Sequence, residues 1–308
     1  MPLTLRQLTY FTALAEEKHF ARAAERVHVS QPALSMQIRD LEAVLGLQLL
    51  ERNPRDLRLT PAGREVLARA GRILAEVRDL QALGRVAGQV GRVQIGVIPT
   101  VAPYLLPPVL ARLRAADISR DLRVREARTE VLLDDLDKGA LDAVVIATPT
   151  GREDLVARAL FSDAFVLAGN RALLDRLGAP EGLRPVALDP DQLLLLDDGH
   201  CLADQALEVC GLSRRQTRID LGASSLSTLV GLVAEGFGLT FLPEIAIRTE
   251  AAAAPRMAMR RFASPEPARG IALVRRAASP GAGWFDEIAG VLSAAGRDLV
   301  AAAKGLVP

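Results

Sequence analysis

Hydrophobic residues recur at helical spacing along the first third of the chain and predict a succession of amphipathic helices. Thr4 and Gln7 form the signature of a capping box at the start of the first helix. An Ala-rich helix is then predicted over 20–27, and a brief turn separates it from a helix capped by Ser30. The buried face of this third helix is predicted to consist of Leu34, Ile38, Leu41 and Leu45. Two short helices joined by a tight turn are typical of a helix-turn-helix.

The other side of the third helix is polar and carries Gln31, Ser35 and Arg39. Gln can pair with adenine and Arg with guanine or a phosphate, so this face suits the major groove of DNA. An ordinary solvated helix face is the alternative interpretation. The following segment places arginines at 52, 55 and 58 around an Asn53-Pro54 turn, which favours a two-stranded wing that contacts phosphates.

A long helix is predicted to begin at Thr60-Pro61. Its apolar positions alternate steps of four and three, which is the spacing of a coiled-coil seam. We therefore expect this helix to pair with a copy of itself and to bring two DNA-binding heads together. The predicted seam consists of Val66, Ala70, Ile73, Val77 and Leu80.

Beyond Gly88 and Gly91 the pattern changes to apolar runs of strand length that alternate with helical stretches. Strands are predicted within 93–99, 122–127 and 141–147, and helices within 103–116 and 130–138. This alternation predicts a parallel sheet of buried strands covered by helices on both faces. Such sheets bind ligands at the carboxyl ends of their strands, which makes 100–104, 127–130 and 198–201 candidate site loops.

Composition narrows the class of protein. A chain of 308 residues suggests two or three folding units, and its net charge of +1 neither requires nor excludes a nucleic acid partner. No apolar run is long enough to cross a bilayer and the start does not have the pattern of a signal peptide, so we expect a cytoplasmic protein. Because no P-loop, HExxH or GxSxG motif occurs, we expect neither an enzyme nor a bound cofactor.

The two cysteines, Cys201 and Cys210, lie in one short stretch. A structural disulfide is disfavoured in a reducing cytoplasm, so they are either inert core thiols or a redox device. A metal site is poorly supported, because the few histidines lie mostly in another predicted domain. Cys201 precedes a helical pattern, and a helix N-terminus favours the thiolate. A helix from one cysteine to the other would hold their Cα atoms about 13 Å apart, so a disulfide would require this segment to refold.

The segments AAERVHVSQPALS and LGLQLLERNPRDLRLTPAG resemble the LysR-type transcription regulators. The resemblance implies a winged helix-turn-helix domain over 1–60, a linker and dimerisation helix over 61–90 and a regulatory domain over 91–308. It also implies DNA contacts by residues of the recognition helix and the wing. These residues are Gln31, Pro32, Ser35, Arg39, Arg52 and Arg58.

The segments DDGHCLADQALEVC and IGVIPTVAPYLLP resemble the peroxide-sensing members of that family. The resemblance implies that Cys201 is the peroxidatic cysteine and Cys210 the resolving one. It further implies a peroxide pocket that contains Thr100, Thr129, His200 and Arg269. The chain departs from some members at Arg125 and Ala203, where they carry His and Arg. Without the resemblance, Thr100 and Thr129 could simply cap the helices that follow them.

We therefore expect an α+β multidomain chain whose regulatory domain has the two-subdomain α/β architecture of periplasmic binding proteins. Subdomain I is expected over about 91–165 and 268–308, and subdomain II over about 166–267. The expected partners are double-stranded DNA, a second copy in a homodimer, a dimer of dimers, RNA polymerase, and hydrogen peroxide as the signal. The alternatives are a metabolite-responsive regulator with incidental cysteines, sensing through one cysteine as a sulfenic acid, and a thiol peroxidase.

Overall fold

The computed structural model describes residues 2–53, 56–86, 93–115, 122–177, 182–197, 201–211, 219–279 and 283–307. The chain forms two compact units. The first comprises Met1–Gly91 with Asp137–Ala140, and the second comprises Arg92–Leu136 with Leu141–Pro308. No helix within the described ranges is both long enough and apolar enough to cross a membrane.

The first unit is a helical domain with a small antiparallel wing. Its elements are α1 (Leu5–Glu17), α2 (Phe20–Arg26), α3 (Gln31–Leu45), β1 (Leu50–Asn53), β2 (Asp56–Leu59) and α4 (Pro61–Val86). The predicted capping box is confirmed, because the Thr4 hydroxyl accepts from the Gln7 amide and the Gln7 side chain accepts from the Thr4 amide. The predicted buried face of α3 is also confirmed, with Leu34, Ile38 and Leu41 in the core of this unit.

The wing and the start of the long helix form where the sequence predicts them. Strands β1 and β2 pair antiparallel, with Glu51 opposite Arg58. The Thr60 hydroxyl accepts from the Gly63 amide at 2.9 Å and so caps α4. The helix-turn-helix, its wing and the linker helix are therefore set by local patterns of apolar and capping residues.

The second unit is built from nine strands and seven α-helices within the described ranges. Its strands are β3 (Val93–Val97), β4 (Leu122–Glu126), β5 (Ala143–Thr148), β6 (Leu155–Asn170), β7 (Leu194–Leu196), β8 (Ile219–Ala223), β9 (Leu239–Pro243), β10 (Met257–Arg261) and β11 (Ala268–Arg276). Its helices are α5 (Ala102–Ala115), α6 (Thr129–Asp137), α7 (Arg171–Arg176), α8 (Cys201–Cys210), α9 (Leu226–Ala234), α10 (Glu244–Ala253) and α11 (Trp284–Lys304).

The predicted parallel arrangement is confirmed for β3, β4 and β5, but the sheet as a whole is mixed. Only β3 with β4, β3 with β5, and β7 with β8 are parallel neighbours among the described strands, whereas β6 pairs antiparallel with β9, β10 and β11. The cause is the long strand β6, which follows β5 and runs against β11. Its first part, 155–164, pairs with β11, and its last part, 165–170, pairs with β9 and β10. One strand thus serves two parts of the regulatory domain.

The strand β4 is not buried, which differs from the sequence-based expectation. It lies at the edge of the seven-stranded sheet, and four of its five residues are exposed. The edge position nevertheless places its carboxyl end beside that of β3, because the Ala127 amide donates to the Val97 carbonyl at 3.4 Å. The loops that begin after β3 and β4 therefore start side by side, as the sequence predicts for a ligand site.

Candidate redox site and DNA interface

The two cysteines occupy the opposite ends of α8. Cys201 is its first residue and is half-buried, whereas Cys210 is its last and is buried, and both thiols are free. The predicted helix between them is thus confirmed. Nine steps of about 1.5 Å separate the Cα atoms by about 13 Å, far beyond the roughly 4.4–6.8 Å of a disulfide.

Burial makes Cys210 a poor nucleophile in this conformation. Desolvation disfavours the charged thiolate and raises the pKa of Cys210 from 9.0 to about 11. At neutral pH the Cys210 sulfur is therefore an uncharged thiol. The half-buried Cys201, at the N-terminus of the helix, is the sulfur that a small oxidant in solvent can reach first.

Thr100 and Arg269, which the sequence places 169 residues apart, are in direct contact. Arg269 lies in β11 and is only 2% exposed, and Thr100 follows β3 and is 1% exposed. The Arg269 Nη1 donates to the Thr100 hydroxyl at 2.8 Å, and its Nη2 donates to the Thr100 carbonyl at 3.2 Å. Two of the predicted pocket residues are thus brought together by the pairing of distant strands.

Asp163 is a member of this cluster that the sequence did not reveal. It lies in β6 directly opposite Arg269, and its Oδ2 accepts from the Arg269 Nε at 2.9 Å. Its other oxygen, Oδ1, accepts from the Ile245 amide at the start of α10 at 3.1 Å. Burial raises the pKa of Asp163, and the Arg269 charge and the Ile245 amide oppose that rise. The one general rule that could have predicted such a residue is that a buried Arg needs a negatively charged partner.

Thr129 begins α6 after β4, beside the loop that carries Thr100. Its hydroxyl oxygen is buried and has no hydrogen-bond partner among the described residues. The interpretation of Thr129 as a helix cap is therefore not what the structure shows, and the Thr100 hydroxyl is likewise engaged by Arg269 instead. An orphaned buried hydroxyl calls for a polar ligand. His200, the remaining predicted pocket residue, lies outside the described residues.

The two positions that depart from some family members have structural roles here. Arg125 is exposed at the edge strand and forms an ion pair with Asp135 at 2.5 Å. Ala203 is buried on the inner face of α8. A small residue at 203 lets α8 pack closely on the unit's core.

A second buried polar cluster joins three helices of the second unit. Glu250 of α10 accepts from the Tyr104 hydroxyl of α5 at 2.6 Å and from the Ser227 hydroxyl of α9 at 2.9 Å. Burial and the neighbouring carboxylate raise the pKa of Tyr104, so its phenol remains a donor. Tyr104 belongs to a predicted site loop, but its partner Glu250 was not predicted.

The polar face of α3 is open to solvent. Gln31, Pro32 and Arg39 are exposed and Ser35 is half-buried. The Arg39 side chain folds back only to the Ser35 carbonyl, through a 3.4 Å contact, and so can be redirected at little cost. In the wing, Arg58 is exposed, while the side chain of Arg52 lies outside the described residues. The exposed members could all contact DNA.

The predicted dimerisation seam divides into an inner and an outer part. Ala70 is completely buried and Val66 partly so, because both pack on the core of their own unit. Ala70 therefore belongs to the fold of the chain itself, which is a correction to its assignment to the seam. Ile73 is 41% exposed and Val77 half-buried, and both can meet a partner helix. The side chain of Leu80 lies outside the described residues.

The chain belongs to the LysR family of bacterial transcription regulators. Residues 5–64 match the bacterial regulatory helix-turn-helix protein, lysR family. Residues 87–289 match the LysR substrate binding domain. The two matches fit the helix-turn-helix unit and the α/β unit described above.

Within that family the chain is similar to peroxide-responsive activators. It is 44% identical over 304 residues to a probable hydrogen peroxide-inducible genes activator of Streptomyces viridosporus, covering 96% of this chain and 95% of the relative. It is 38% identical over 295 residues to the DNA-binding transcriptional dual regulator OxyR of Escherichia coli, covering 95% of each chain.

Solved structures give the same result. A full-length OxyR cysteine variant from Pseudomonas aeruginosa superposes with a TM-score of 0.73 at 33% identity, covering 96% of this chain and 95% of that one. An H2O2-bound OxyR mutant from Corynebacterium glutamicum superposes with a TM-score of 0.64 at 34% identity, covering 100% of this chain and 99% of that one.

Proposed function

We propose that this regulator senses hydrogen peroxide through Cys201 and converts the signal into altered DNA binding and expression of peroxide defence genes. The observation that carries the proposal is the asymmetry of the two cysteines, since α8 presents Cys201 at its accessible start and shelters Cys210 at its end. Arg269 contacts Thr100, which follows β3, and the orphaned Thr129 hydroxyl follows β4. Both observations support a polar pocket at the carboxyl ends of these two strands. The names of the relatives support peroxide as the signal.

The chemistry takes two steps. The Cys201 thiolate attacks one oxygen of H2O2, an S–O bond forms as the O–O bond breaks, and the other oxygen leaves as hydroxide and is protonated to water. Sulfur loses two electrons and the peroxide gains them. The Cys210 thiol then displaces the hydroxyl of the sulfenic acid, which gives a disulfide and a second water. A cellular thiol reductant resets the pair by thiol–disulfide exchange.

The second step requires α8 to unwind, because the helix keeps its ends about 13 Å apart. In the chain-entropy model a loop of this size restricts the unfolded chain by only about 2.7 kcal/mol, which the lost helix can offset. A disulfide formed at this cost is readily reduced. The same refolding is the conformational change that reaches the DNA-binding unit.

We propose that DNA is bound by a homodimer, and by two such dimers together, with Gln31, Ser35 and Arg39 in the major groove and the wing arginines on phosphates. The outer seam residues Ile73 and Val77 are proposed to pair the linker helices. RNA polymerase is the proposed partner at the promoter, and the cytoplasm is the proposed compartment.

The test titrates the purified full chain with H2O2, counts free thiols and footprints its own promoter before and after oxidation. We expect two thiols to be lost together and the footprint to change. Cys201→Ser should abolish both effects, whereas Cys210→Ser should trap a sulfenic acid at Cys201. Unchanged thiols and footprint at excess peroxide would refute peroxide sensing and favour a metabolite-responsive regulator. Sustained consumption of peroxide with a thiol reductant would instead indicate a peroxidase.

Sensing by one cysteine is the second candidate, and the distance between the ends of α8 favours it. In that case Cys210→Ser would keep the full footprint response to peroxide. The same variant therefore separates the two mechanisms without a further substitution.

A further inference from the structure

The ion pair of Arg269 and Asp163 is completely enclosed, since both side chains have no solvent exposure. Burying two charges costs several kcal/mol per ion, and a pair of apolar residues would stabilise such a site as well or better. The value of this pair for stability is therefore small. What it does provide is a fixed orientation of the guanidinium.

A set of polar contacts determines that orientation. The Ile245 amide holds Asp163 Oδ1, and Asp163 Oδ2 accepts from the Nε of Arg269 and lies 2.9 Å from its Nη2. The Nη1 of Arg269 then donates to the Thr100 hydroxyl and its Nη2 to the Thr100 carbonyl. The Phe165 ring lies 6.0 Å from the Arg269 Cζ and covers one side of the guanidinium. A line of contacts thus runs from the start of α10 through Asp163 and Arg269 to the Thr100 hydroxyl.

The last contact fixes the direction in which the Thr100 hydroxyl can donate. A hydroxyl has one hydrogen, and the Thr100 oxygen uses a lone pair to accept from Arg269. Among the described residues the Thr100 hydroxyl has no acceptor for its own hydrogen. This hydrogen can therefore be donated to a small molecule that reaches Thr100, and the positive charge behind the oxygen strengthens the hydroxyl as a donor.

We propose that Asp163 is a positioning residue for peroxide reduction, which holds Arg269 so that Thr100 donates its hydroxyl to the departing oxygen of the peroxide. This inference rests on the proposed function. As the Cys201 sulfur forms its bond to one oxygen, negative charge develops on the other oxygen until it leaves as hydroxide and takes a proton to become water. A donor whose orientation is fixed beforehand stabilises this charge without reorganisation.

A purely structural ion pair and a positioning residue predict different results with two reagents. Reduction of H2O2 and alkylation by iodoacetamide both need the Cys201 thiolate, but only the first expels an oxygen that needs a hydrogen-bond donor. Loss of positioning therefore slows the peroxide reaction selectively. General loosening of the domain changes both reactions together.

The experiment compares Asp163→Asn with the unmutated full chain, by the second-order rate of Cys201 oxidation and by its rate of alkylation. We expect peroxide oxidation to slow by about 10- to 100-fold and alkylation to stay near its original rate. The matched control is Glu244→Gln. This change removes another buried carboxylate, which pairs with Arg261 at 2.8 Å, and Arg261 does not contact Thr100. The control should keep both rates.

Three outcomes separate the claims. If Cys201 of the unmutated chain does not react with peroxide, the proposed function fails. If it reacts, only the positioning role of Asp163 fails in two cases. Either Asp163→Asn is oxidised by peroxide as fast as the unmutated chain, or its oxidation and its alkylation slow by the same factor. If Asp163→Asn does not fold, the paired change Asp163→Leu with Arg269→Met removes both charges at once. That pair should show the same selective loss towards peroxide, and a rate equal to the unmutated chain would overturn the inference.

Discussion

The two units of this regulator display their functional groups in opposite ways. On the first, the polar side chains proposed to contact DNA, such as Gln31, Arg39 and Arg58, are exposed. In the second, Thr100, Asp163 and Arg269 are at most 2% exposed, and Arg269 donates to both of the others. The difference follows from the size of the ligand each unit is proposed to bind.

A DNA duplex can only be contacted from outside, and its binding is driven largely by charge at the surface. Exposed arginines can be held loosely until the phosphates arrive. A peroxide molecule is small and uncharged, so a protein can distinguish it only through donors fixed in a water-poor site. Polar groups in such a site must be paired with each other, because an unpaired buried polar group costs about 1–3 kcal/mol.

The largest effect expected from this contrast is between buried and accessible thiols. In Cys201→Ser, which leaves Cys210 as the remaining thiol, alkylation of Cys210 at pH 9 should be about fiftyfold slower than that of a thiol with the ordinary pKa of 9.0. The reason is that its pKa is raised to about 11, so that about 1% of it is thiolate instead of about half. The alkylation rate should keep rising with pH towards 11. The rate at each pH is measured by quenching the alkylation at successive times and determining the alkylated fraction by mass spectrometry.

The same variant in urea is the control, since unfolding exposes Cys210 and should return its profile to that of an ordinary thiol. A profile of the folded variant that levels off near pH 9 would contradict the sheltered state of Cys210. It would also weaken the order of events in which Cys201 reacts first.

A smaller effect should follow from removing an exposed arginine of the first unit. Arg39→Ala should weaken operator binding by about 1–3 kcal/mol, or roughly 5- to 150-fold, if Arg39 contacts a base. Its melting temperature should not change, because Arg39 is exposed and makes only a weak contact to its own helix. Gel shift and thermal unfolding measure the two quantities.

Arg69→Ala is the matched control for Arg39→Ala. Arg69 is equally a surface arginine of a long helix, but it pairs with Glu65 on α4 instead of lying on α3. We expect it to bind the operator with almost unchanged affinity. Equal losses in both variants would mean that only the general charge of the unit matters, and that α3 does not recognise bases through Arg39.

The same contrast explains how much the sequence could predict. The capping box at Thr4, the cap at Thr60, the buried face of α3 and the helix between the cysteines depend on residues close in sequence, and all of them form as expected. When the functional residues lie on one exposed helix face, they are close in sequence and their spacing can be recognised there. The polar face of α3 is such a pattern.

The groups that the sequence did not reveal depend on pairing between distant strands. Asp163 meets Arg269 only because β6 and β11 run antiparallel in one register, and a shift of one residue would send Asp163 to the other face. Glu250 likewise gains its role from Tyr104, which lies 146 residues earlier on α5, and from Ser227, which lies 23 residues earlier on α9. The burial of Ala70 depends on α4 packing against the core of its own unit, which a heptad pattern alone cannot distinguish from a partner helix.

The smallest expected effect concerns the stability of the first unit alone. Thr4→Ala removes the hydroxyl that accepts from the Gln7 amide, and with it half of the capping box. The loss should be about 1 kcal/mol, or about fivefold faster amide exchange over residues 5–17, if exchange follows local unfolding. Hydrogen exchange followed by mass spectrometry measures it on the full chain.

Thr9→Ala provides the control on the same helix. The exposed Thr9 hydroxyl donates back to the Leu5 carbonyl, a contact that adds nothing to a helix, and Ala is the better helix former. Exchange over 5–17 should therefore be unchanged or slower in Thr9→Ala.

The single tryptophan, Trp284, lies in α11 of the second unit, so its fluorescence reports on unfolding there. Thr4→Ala should leave that transition and the peroxide reactivity of Cys201 unchanged. A shift of the Trp284 transition by this variant would mean that the two units unfold together, and that a surface cap on one also stabilises the buried site of the other.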